Sequence, residues 1–222
     1  MSTNEKGGLL LLDIYAVLLE KQGFQDWWPG DTNLEICIGA ILTQNTAWGN
    51  VEKAINNIKK ESLMSLDALL NAGEKKIATL IRPAGYFNQK AKYVYGFCKF
   101  IKTSPFKELK KNELLKTRDA LLAIKGIGKE TADSILLYVL DYPIFVIDAY
   151  TKRIFSRIGV CNENMDYDDM QNFFYRNLII DVELFKDYHA QIVTLGKGSC
   201  RKKPKCENCV LRARKICSYG LN

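Results

Sequence analysis

Residues 121–137 read LLAIKGIGKETADSILL and give the clearest structural signal in the chain. A helical segment ends in the turn Gly126-Ile-Gly128, and an amphipathic helical pattern follows. Two glycines allow a tight turn that exposes successive backbone N–H groups just before a helix N-terminus, where an anion is favoured. The turn therefore predicts either a phosphate-binding hairpin or a plain connection between helices. A nucleotide-binding P-loop is excluded, because Glu130 stands where that motif has Ser or Thr.

Helical periodicity extends outward from this stretch in both directions. Apolar residues recur at intervals of three and four in residues 11–19, 91–101 and 132–140. Proline and glycine fall between the periodic segments, and residues 142–147 form a short extended connector. Polar residues that can cap helices are Asp31, Thr32, Asn33, Ser62, Ser65 and Thr117. The sequence therefore predicts an all-α protein.

The composition is that of a folded globular protein. Of the 222 residues, 47% are hydrophobic and 26% are charged, and 15 Gly and 5 Pro are too few for a disordered or fibrous chain. The apolar run at residues 7–12 stops at Asp13, so we expect neither a membrane span nor a signal peptide.

The net charge of +7 is concentrated near the carboxy terminus. Residues 197–217 hold eight basic residues and one acidic residue, Glu207, which leaves 24 basic and 24 acidic residues to cancel in the rest of the chain. This local excess of positive charge favours a polyanionic partner.

Four of the seven cysteines lie in the same basic segment, separated by five, two and seven residues. They are Cys200, Cys206, Cys209 and Cys217. In a chain without a secretory signal, this clustering favours a metal site over disulfides. The spacing alone leaves zinc and a 4Fe–4S cluster open.

A carboxylate follows the apolar extended connector and opens the next helical pattern. This residue, Asp148, lies twenty positions after Gly128 in the segment FVIDAYTKRI. Taken locally, it predicts a helix N-cap.

The chain resembles the helix-hairpin-helix DNA glycosylases of the endonuclease III superfamily over nearly its whole length. The resemblance rests on three motifs in the family's order, which are LTQNT at residues 42–46, KGIGKETA at 125–132 and the cysteine segment at 200–217. It implies a six-helix barrel-like domain at residues 31–143. It also implies a second helical domain, formed by residues 1–30 and 144–222, which carries a 4Fe–4S cluster. DNA would lie in the cleft between the two domains.

The resemblance also assigns roles to residues. Asp148 would be the catalytic carboxylate, because an ionised group stabilises the oxocarbenium character that develops as an N-glycosidic bond breaks. Gln44 and Asn45 would enter the duplex and fill the space left by an extruded base. The hairpin would bind DNA phosphates through Lys125, Gly126, Ile127, Gly128 and Lys129. The four cysteines would hold the cluster, although related loops separate them by six, two and five residues.

One departure from the family and one further resemblance narrow the expected activity. Bifunctional members have a lysine nucleophile where this chain has Glu130, and a carboxylate cannot form a Schiff base. We therefore expect a monofunctional glycosylase without β-lyase activity, with Glu130 either in the base pocket or simply favourable to the helix dipole. Trp27, Trp28 and Trp48 are candidates for a base pocket, because aromatic faces attract a cationic methylated base. Together with the segments LTQNT and GKETAD, the Trp-Trp-Pro segment resembles the 3-methyladenine branch, whose best-known members lack the iron–sulfur loop.

Other interpretations stay open at this point. Enzymes that remove thymine or uracil opposite guanine, or adenine opposite 8-oxoguanine, are also monofunctional, and a protein that only binds DNA structures could keep the same fold. We expect a monomer that acts on damaged double-stranded DNA, in the cytoplasm and at the nucleoid. The sole histidine, His189, is assigned no chemistry.

Overall fold

The computed structural model describes residues 3–162 and 164–220, with side chains from residue 10 onward. Within these ranges the structure consists of helices and connecting segments without a β-strand, so the all-α prediction is confirmed. None of the described helices is long and apolar enough to cross a membrane.

The chain divides into two compact units. We call residues Trp28–Tyr142 the hairpin unit, and the residues up to Trp27 together with those from Pro143 onward the terminal unit. These boundaries lie close to the predicted ones at 30/31 and 143/144. That the units are separate domains with a DNA cleft between them stays a prediction.

The hairpin unit contains seven α-helices and one 3-10 turn, Arg82–Ala84, among its described residues. The helices are α2 (Asn33–Leu42), α3 (Trp48–Lys60), α4 (Leu66–Leu80), α5 (Phe87–Thr103), α6 (Phe106–Leu109), α7 (Leu114–Leu122) and α8 (Lys129–Tyr138). Thr32 and Ser65 cap α2 and α4 through their side chains, as their position before apolar runs predicts. Thr117 does not cap a helix: it is buried inside α7, and its hydroxyl donates to the carbonyl of Glu113.

The terminal unit contains α1 (Thr3–Gln22), α9 (Ala149–Ile158), α10 (Tyr167–Asn177), α11 (Val182–Lys197), α12 (Val210–Ala213) and a 3-10 turn, Cys206–Asn208. Its core is an aromatic cluster in which the Phe145 and Phe174 rings stack with centroids 4.0 Å apart. Tyr188 of α11 is fully buried against this cluster, and its hydroxyl donates to the carbonyl of Leu11 at 2.7 Å. The aromatic core thus joins α11 to α1.

The buried connector at residues 144–147 receives its hydrogen bonds from side chains of α10. The N–H groups of Phe145 and Ile147 donate to two tyrosine hydroxyls at 3.3 and 3.4 Å, and the Phe145 carbonyl accepts from a glutamine amide at 2.7 Å. Buried backbone groups need such partners. The donors and acceptors on α10 are Tyr167, Gln171 and Tyr175, spaced four residues apart on one helix face. This ladder fixes the segment that ends at Asp148.

Candidate active site and nucleic-acid interface

The hairpin turn requires glycine at one of its two glycine positions. Gly126 has a φ of +89°, and a Cβ there would lie 2.2 Å from the ring of Tyr93. Gly128 is the N-cap of α8 with a φ of −93°, which any residue adopts, and a Cβ there would meet nothing within 4 Å. The fold therefore explains Gly126 but not Gly128.

A buried ion pair holds the two hairpin helices together. Nε and Nη2 of Arg118 on α7 lie 2.7 and 3.1 Å from the two carboxylate oxygens of Asp133 on α8. Asp133 is fully buried, and the two-point geometry is the strongest form of this interaction. The turn between α7 and α8 is thus presented on a fixed frame.

Most of the predicted hairpin contacts are accessible. Lys125, Gly128 and Lys129 are exposed, and so is Glu130 in the first turn of α8. Ile127 differs, because its side chain is 4% exposed and belongs to the core, which leaves only its backbone for a phosphate contact. Gly128 caps α8 without a side chain, so nothing of its own covers the positive end of the helix.

The segment after α2 is bound to the hairpin. The side-chain amide of Gln44 donates to the carbonyl of Gly126 at 2.9 Å and to the hydroxyl of Thr131 at 3.1 Å. Asn45 follows in a left-handed conformation, with a φ of +53°, and is exposed. The structure therefore brings the two predicted DNA-contacting motifs of the hairpin unit side by side.

A buried lysine is hydrogen-bonded to the backbone of the segment that precedes Gln44. The ammonium of Lys90, which is 3% exposed, donates to the carbonyls of Leu42 and Ala84, both at 2.8 Å. Burial lowers the pKa of Lys90. Lys90 thereby fixes the segment leading to Gln44 and the one leading to Tyr86, an aromatic side chain that is 75% exposed on a left-handed backbone with φ +44°.

Trp28 and Trp48 form an aromatic group in the hairpin unit together with Tyr138. The Trp28 ring lies edge-on to Trp48 with centroids 5.7 Å apart, and 5.3 Å from Tyr138. The group packs over Gly39, where a Cβ would meet both indoles at 3.4–3.5 Å. The Trp48 indole N–H donates to Glu52 at 2.9 Å. These are the residues from which an aromatic base pocket can be built.

Trp27 lies in the terminal unit and has different surroundings. The ammonium of Lys197 lies 4.8 Å from the centroid of its ring, which is a cation–π contact. The sequence places Trp27 and Trp28 together, whereas their side chains pack within different units.

Asp148 is a buried carboxylate at the N-terminus of α9. Its Oδ1 accepts from the backbone N–H of Thr151 at 2.7 Å and from the Thr151 hydroxyl at 2.8 Å, so the residue is also the N-cap of its helix. Its Oδ2 lies 3.6 Å from Nε2 of His189. Burial raises the pKa of Asp148, but His189 and the two Thr151 contacts outweigh burial and hold that pKa below its ordinary value. Asp148 is therefore an ionised carboxylate at neutral pH.

Two arginines on the last turns of α9 bind the cysteine segment. Nε of Arg153 donates to the carbonyl of Cys200 at 3.0 Å, and Nη1 of Arg157 lies 3.4 Å from the Cys200 Sγ. The Cys217 Sγ lies 3.8 Å from the Arg157 carbonyl oxygen. One helix therefore begins at Asp148 and ends on the loop that carries the cysteines.

The four predicted ligands share one loop but do not form a finished metal centre. All four are partly buried, and burial raises the pKa of the Cys217 thiol. In the part of the chain that the structure describes, no three or more His, Cys, Asp or Glu side chains are arranged to hold a metal ion. The donor set suits zinc or an iron–sulfur cluster by its chemistry, and the side-chain positions do not select between them.

Several residues around this site could not be predicted from the sequence. Tyr138 belongs to a helical pattern that predicts only core packing, and the interaction of His189 with Asp148 crosses 41 residues of chain. Lys90 carried no signal, because a lysine on a helix is ordinarily solvated. Tyr86 was the most accessible to prediction, since it follows the turn Pro83-Ala84-Gly85 directly.

A hairpin between two helices, followed by a buried aspartate at the start of the next helix, defines the helix-hairpin-helix class of DNA repair proteins. The family model described as "HhH-GPD superfamily base excision DNA repair protein" matches residues 38–178. The chain therefore belongs to this superfamily.

Similar proteins are found among both sequences and solved structures. The chain is 50% identical over 208 residues to a Methanocaldococcus jannaschii protein named "Putative DNA repair glycosylase MJ1434", covering 91% of this chain and 94% of that one. It is 30% identical to the Helicobacter pylori 3-methyladenine DNA glycosylase MagIII, solved with 1,N6-ethenoadenine, with a TM-score of 0.72 and coverage of 86% and 97%. A complex of endonuclease III with DNA shares the fold at 18% identity, with a TM-score of 0.78 and coverage of 98% and 96%.

Proposed function

We propose that this protein is a monofunctional DNA glycosylase of base excision repair that acts as a monomer on chromosomal DNA. It would extrude an alkylated purine such as 3-methyladenine and hydrolyse its N-glycosidic bond, leaving an abasic site. The observation that carries the proposal is the buried carboxylate of Asp148 at the start of α9, held there by Thr151. Membership of the HhH-GPD superfamily and the 30% identity to a 3-methyladenine DNA glycosylase support it.

Asp148 has the properties that this reaction requires. Departure of the base leaves positive charge on the deoxyribose, and a fixed carboxylate in a water-poor site stabilises that charge more than a solvated one. Thr151 holds Oδ1, so the carboxylate does not have to reorganise as the charge develops. Oδ2 is then the oxygen that can face the sugar or orient a water molecule.

The hairpin supplies the features expected of a phosphate-binding surface. The N-terminus of α8 follows a residue without a side chain, and Lys125 and Lys129 flank it with positive charge. Gln44, bound to the same turn, is held at the surface that DNA would meet. Such contacts position the duplex without reading its sequence.

The presence of glutamate at residue 130 supports the proposal of a glycosylase that does not cleave the DNA strand. Glu130 occupies an exposed place in the first turn of α8, where bifunctional relatives are expected to carry the lysine nucleophile. A carboxylate cannot form the imine that leads to β-elimination. Borohydride should therefore trap no covalent complex between the protein and damaged DNA, and a trapped complex would contradict this part of the proposal.

The aromatic group of the hairpin unit supports a cationic base as substrate. A purine methylated on a ring nitrogen is positively charged and gains about 1–2 kcal/mol over an aromatic face once it is desolvated. Trp48 is held by Glu52 and by the edge of Trp28, so its ring has a defined orientation. Such a pocket selects by charge as well as by shape.

We also infer that the cysteine segment holds a 4Fe–4S cluster through Cys200, Cys206, Cys209 and Cys217. The support is that four partly buried cysteines share one basic loop, which α9 binds through two arginines. When bound, such a cluster would fix the loop and with it the basic side chains that face DNA. Iron and sulfide analysis of protein purified without oxygen, with broad visible absorption, tests the assignment, and stoichiometric zinc in a colourless protein would overturn it.

The proposal is tested by an excision panel under single-turnover conditions. Duplexes should carry 3-methyladenine, 7-methylguanine, hypoxanthine, thymine or uracil opposite guanine, and adenine opposite 8-oxoguanine. We expect the methylated purines to be released fastest. Asp148→Asn is the matched control, because asparagine caps a helix as well as aspartate does and keeps an acceptor for Thr151. It should abolish release while the melting temperature and DNA affinity stay close to wild type. Release that survives the substitution would overturn the role of Asp148.

A further inference from the structure

We propose that His189 is a positioning residue for Asp148, which holds the orientation of the carboxylate through the oxygen that Thr151 does not contact. This inference rests on the proposed function, and it assigns a role to a residue whose sequence context predicted none.

The two oxygens of Asp148 have separate partners. Oδ1 is occupied by the N–H and the hydroxyl of Thr151, both from the first turn of α9. Oδ2 faces the Nε2 of His189 on α11 at 3.6 Å, which is an ion-pair distance and slightly long for a direct hydrogen bond. The two Thr151 contacts already hold Oδ1. A partner on Oδ2 further restricts the rotation of the carboxylate about its Cβ–Cγ bond.

Both residues of the pair are withdrawn from solvent. Asp148 is 8% exposed and His189 is 3% exposed. Removal of a carboxylate from water disfavours its charged form, so a buried catalytic aspartate needs compensation. Burial raises the pKa of Asp148, and His189 and the two Thr151 contacts together hold it below its ordinary value.

The other groups around Asp148 in the terminal unit do not take the place of His189 at Oδ2. Tyr150 on the same helix has its pKa raised by burial and by Asp148, so it is uncharged at neutral pH. Arg153 lies over the Tyr150 ring at 5.0 Å and binds the carbonyls of Cys200 and Gly196. On α10 the hydroxyl of Tyr167 accepts from the neighbouring Ile147 N–H. Among these described groups of the terminal unit, the side chain from another helix that faces Oδ2 of Asp148 is therefore His189.

His189 is also well placed to hold a fixed position itself. It lies on α11 between Tyr188, which anchors the aromatic core, and the buried Gln191, whose amide donates to Gly23 and Asp187. The helix is therefore fixed along this stretch by contacts to α1 and the segment after it. A rigid support is what precise orientation of a reacting group requires.

Two substitutions separate positioning from packing. His189→Leu removes the polar partner, and His189→Gln keeps an amide N–H near the position of Nε2 without a charge. We expect His189→Leu to lower the single-turnover rate of base release about 10- to 100-fold at neutral pH, since misorientation of a reacting group has losses of this order. His189→Gln should restore the rate to within several-fold of wild type. His189→Leu should move the acid limb of the pH–rate profile to higher pH, because it removes both the hydrogen-bonding and the coulombic influence that lower the pKa of Asp148. His189→Gln, which keeps an N–H donor, should move it in the same direction by less.

A second readout does not depend on catalysis. In protein labelled with ¹³C at the aspartate carboxyls, the Asp148 signal is identified by its loss in Asp148→Asn and then titrated. We expect its pKa to rise in the His189→Gln variant, and in His189→Leu if that variant folds. Unchanged titration and an unchanged acid limb in the folded Gln variant would overturn the proposal. If wild-type protein releases no base from any duplex, the proposed function fails, and the titration still decides whether His189 acts on Asp148.

Discussion

Nη1 of Arg157 lies 3.4 Å from the Sγ of Cys200, and the same guanidinium donates to the carbonyls of Arg201 and Lys202 at 2.6 and 3.0 Å. Its plane also covers the ring of Tyr219 at 4.8 Å. Because Arg157 stands on the helix that Asp148 caps, the candidate catalytic residue and the cysteine loop share one rigid element.

Removal of this guanidinium should loosen the cysteine loop. Arg157→Ala loses three polar contacts and a cation–π contact, and we expect a destabilisation of about 1–3 kcal/mol with lower iron content after purification. Arg176→Ala, which removes an exposed arginine from α10, is the control. Thermal unfolding and iron analysis check the prediction, and equal iron content in the two variants would argue against a role for Arg157 in the loop.

The two hairpin glycines should respond oppositely to alanine. Gly126→Ala places a Cβ against Tyr93 on a left-handed backbone and should cost about 2–5 kcal/mol of unfolding free energy. Gly128→Ala meets open space and should change stability by less than about 1 kcal/mol. If the N-terminus of α8 receives a phosphate, Gly128→Ala should nonetheless weaken DNA binding, because a methyl group obstructs close approach. Fluorescence anisotropy at fixed salt measures this, and unaltered affinity would place DNA elsewhere.

Gln44 should be sensitive to loss of its donor. Gln44→Glu replaces the donating amide group with a carboxylate oxygen. That oxygen would face the carbonyl oxygen of Gly126, and two acceptors cannot form a hydrogen bond with each other. We expect a loss of about 1–3 kcal/mol, the typical cost of an unsatisfied buried polar group. Thr131→Val removes only the second, longer contact and should cost less. Urea unfolding of the two variants compares them, and a larger effect from Thr131→Val would contradict this account.

Much of the fold could be predicted because its features are local. The helical periods, the caps at Thr32 and Ser65 and the glycine turn each depend on residues a few positions apart. Thr117 failed as a cap because burial inside α7 decided its role, and burial depends on packing that no short segment records. Local pattern also predicted Asp148 as an N-cap, and the structure shows that it is one.

The candidate site was less predictable, since its contacts join distant segments. Gln44 meets a carbonyl 82 residues away, Lys90 bridges two loops, and His189 reaches Asp148 from another helix. In most proteins a lone histidine or a helical lysine has an ordinary role at the surface or in the core, so neither residue type predicts a functional contact from the sequence. Family resemblance supplied the predicted site residues, whereas the partners that support them became apparent only in the structure.

Trp48 should determine how strongly the protein prefers charged bases. Trp48→Leu keeps an apolar side chain but removes the aromatic face, and we expect the ratio of 3-methyladenine to hypoxanthine release to fall about 5- to 30-fold, the equivalent of 1–2 kcal/mol. Trp27→Leu is the comparison, because Lys197 already lies over that ring, and it should change the ratio less. An unchanged ratio in Trp48→Leu would show that the Trp48 ring does not select charged bases over neutral ones.

We expect Tyr86 to contribute to DNA binding while its backbone conformation lowers the stability of the protein. A non-glycine residue at φ +44° carries strain of about 1–2 kcal/mol, and a ring that is 75% exposed gains little from packing in return. Asparagine tolerates this conformation, so Tyr86→Asn should fold at least as stably as wild type. Because Lys90 joins the Tyr86 segment to the one carrying Gln44, we expect the variant to bind damaged duplex several-fold more weakly. Leu115→Ala, which removes another exposed apolar side chain of the hairpin unit, should leave affinity unchanged. Equal affinity for wild type and Tyr86→Asn would mean that the strained backbone serves the turn alone.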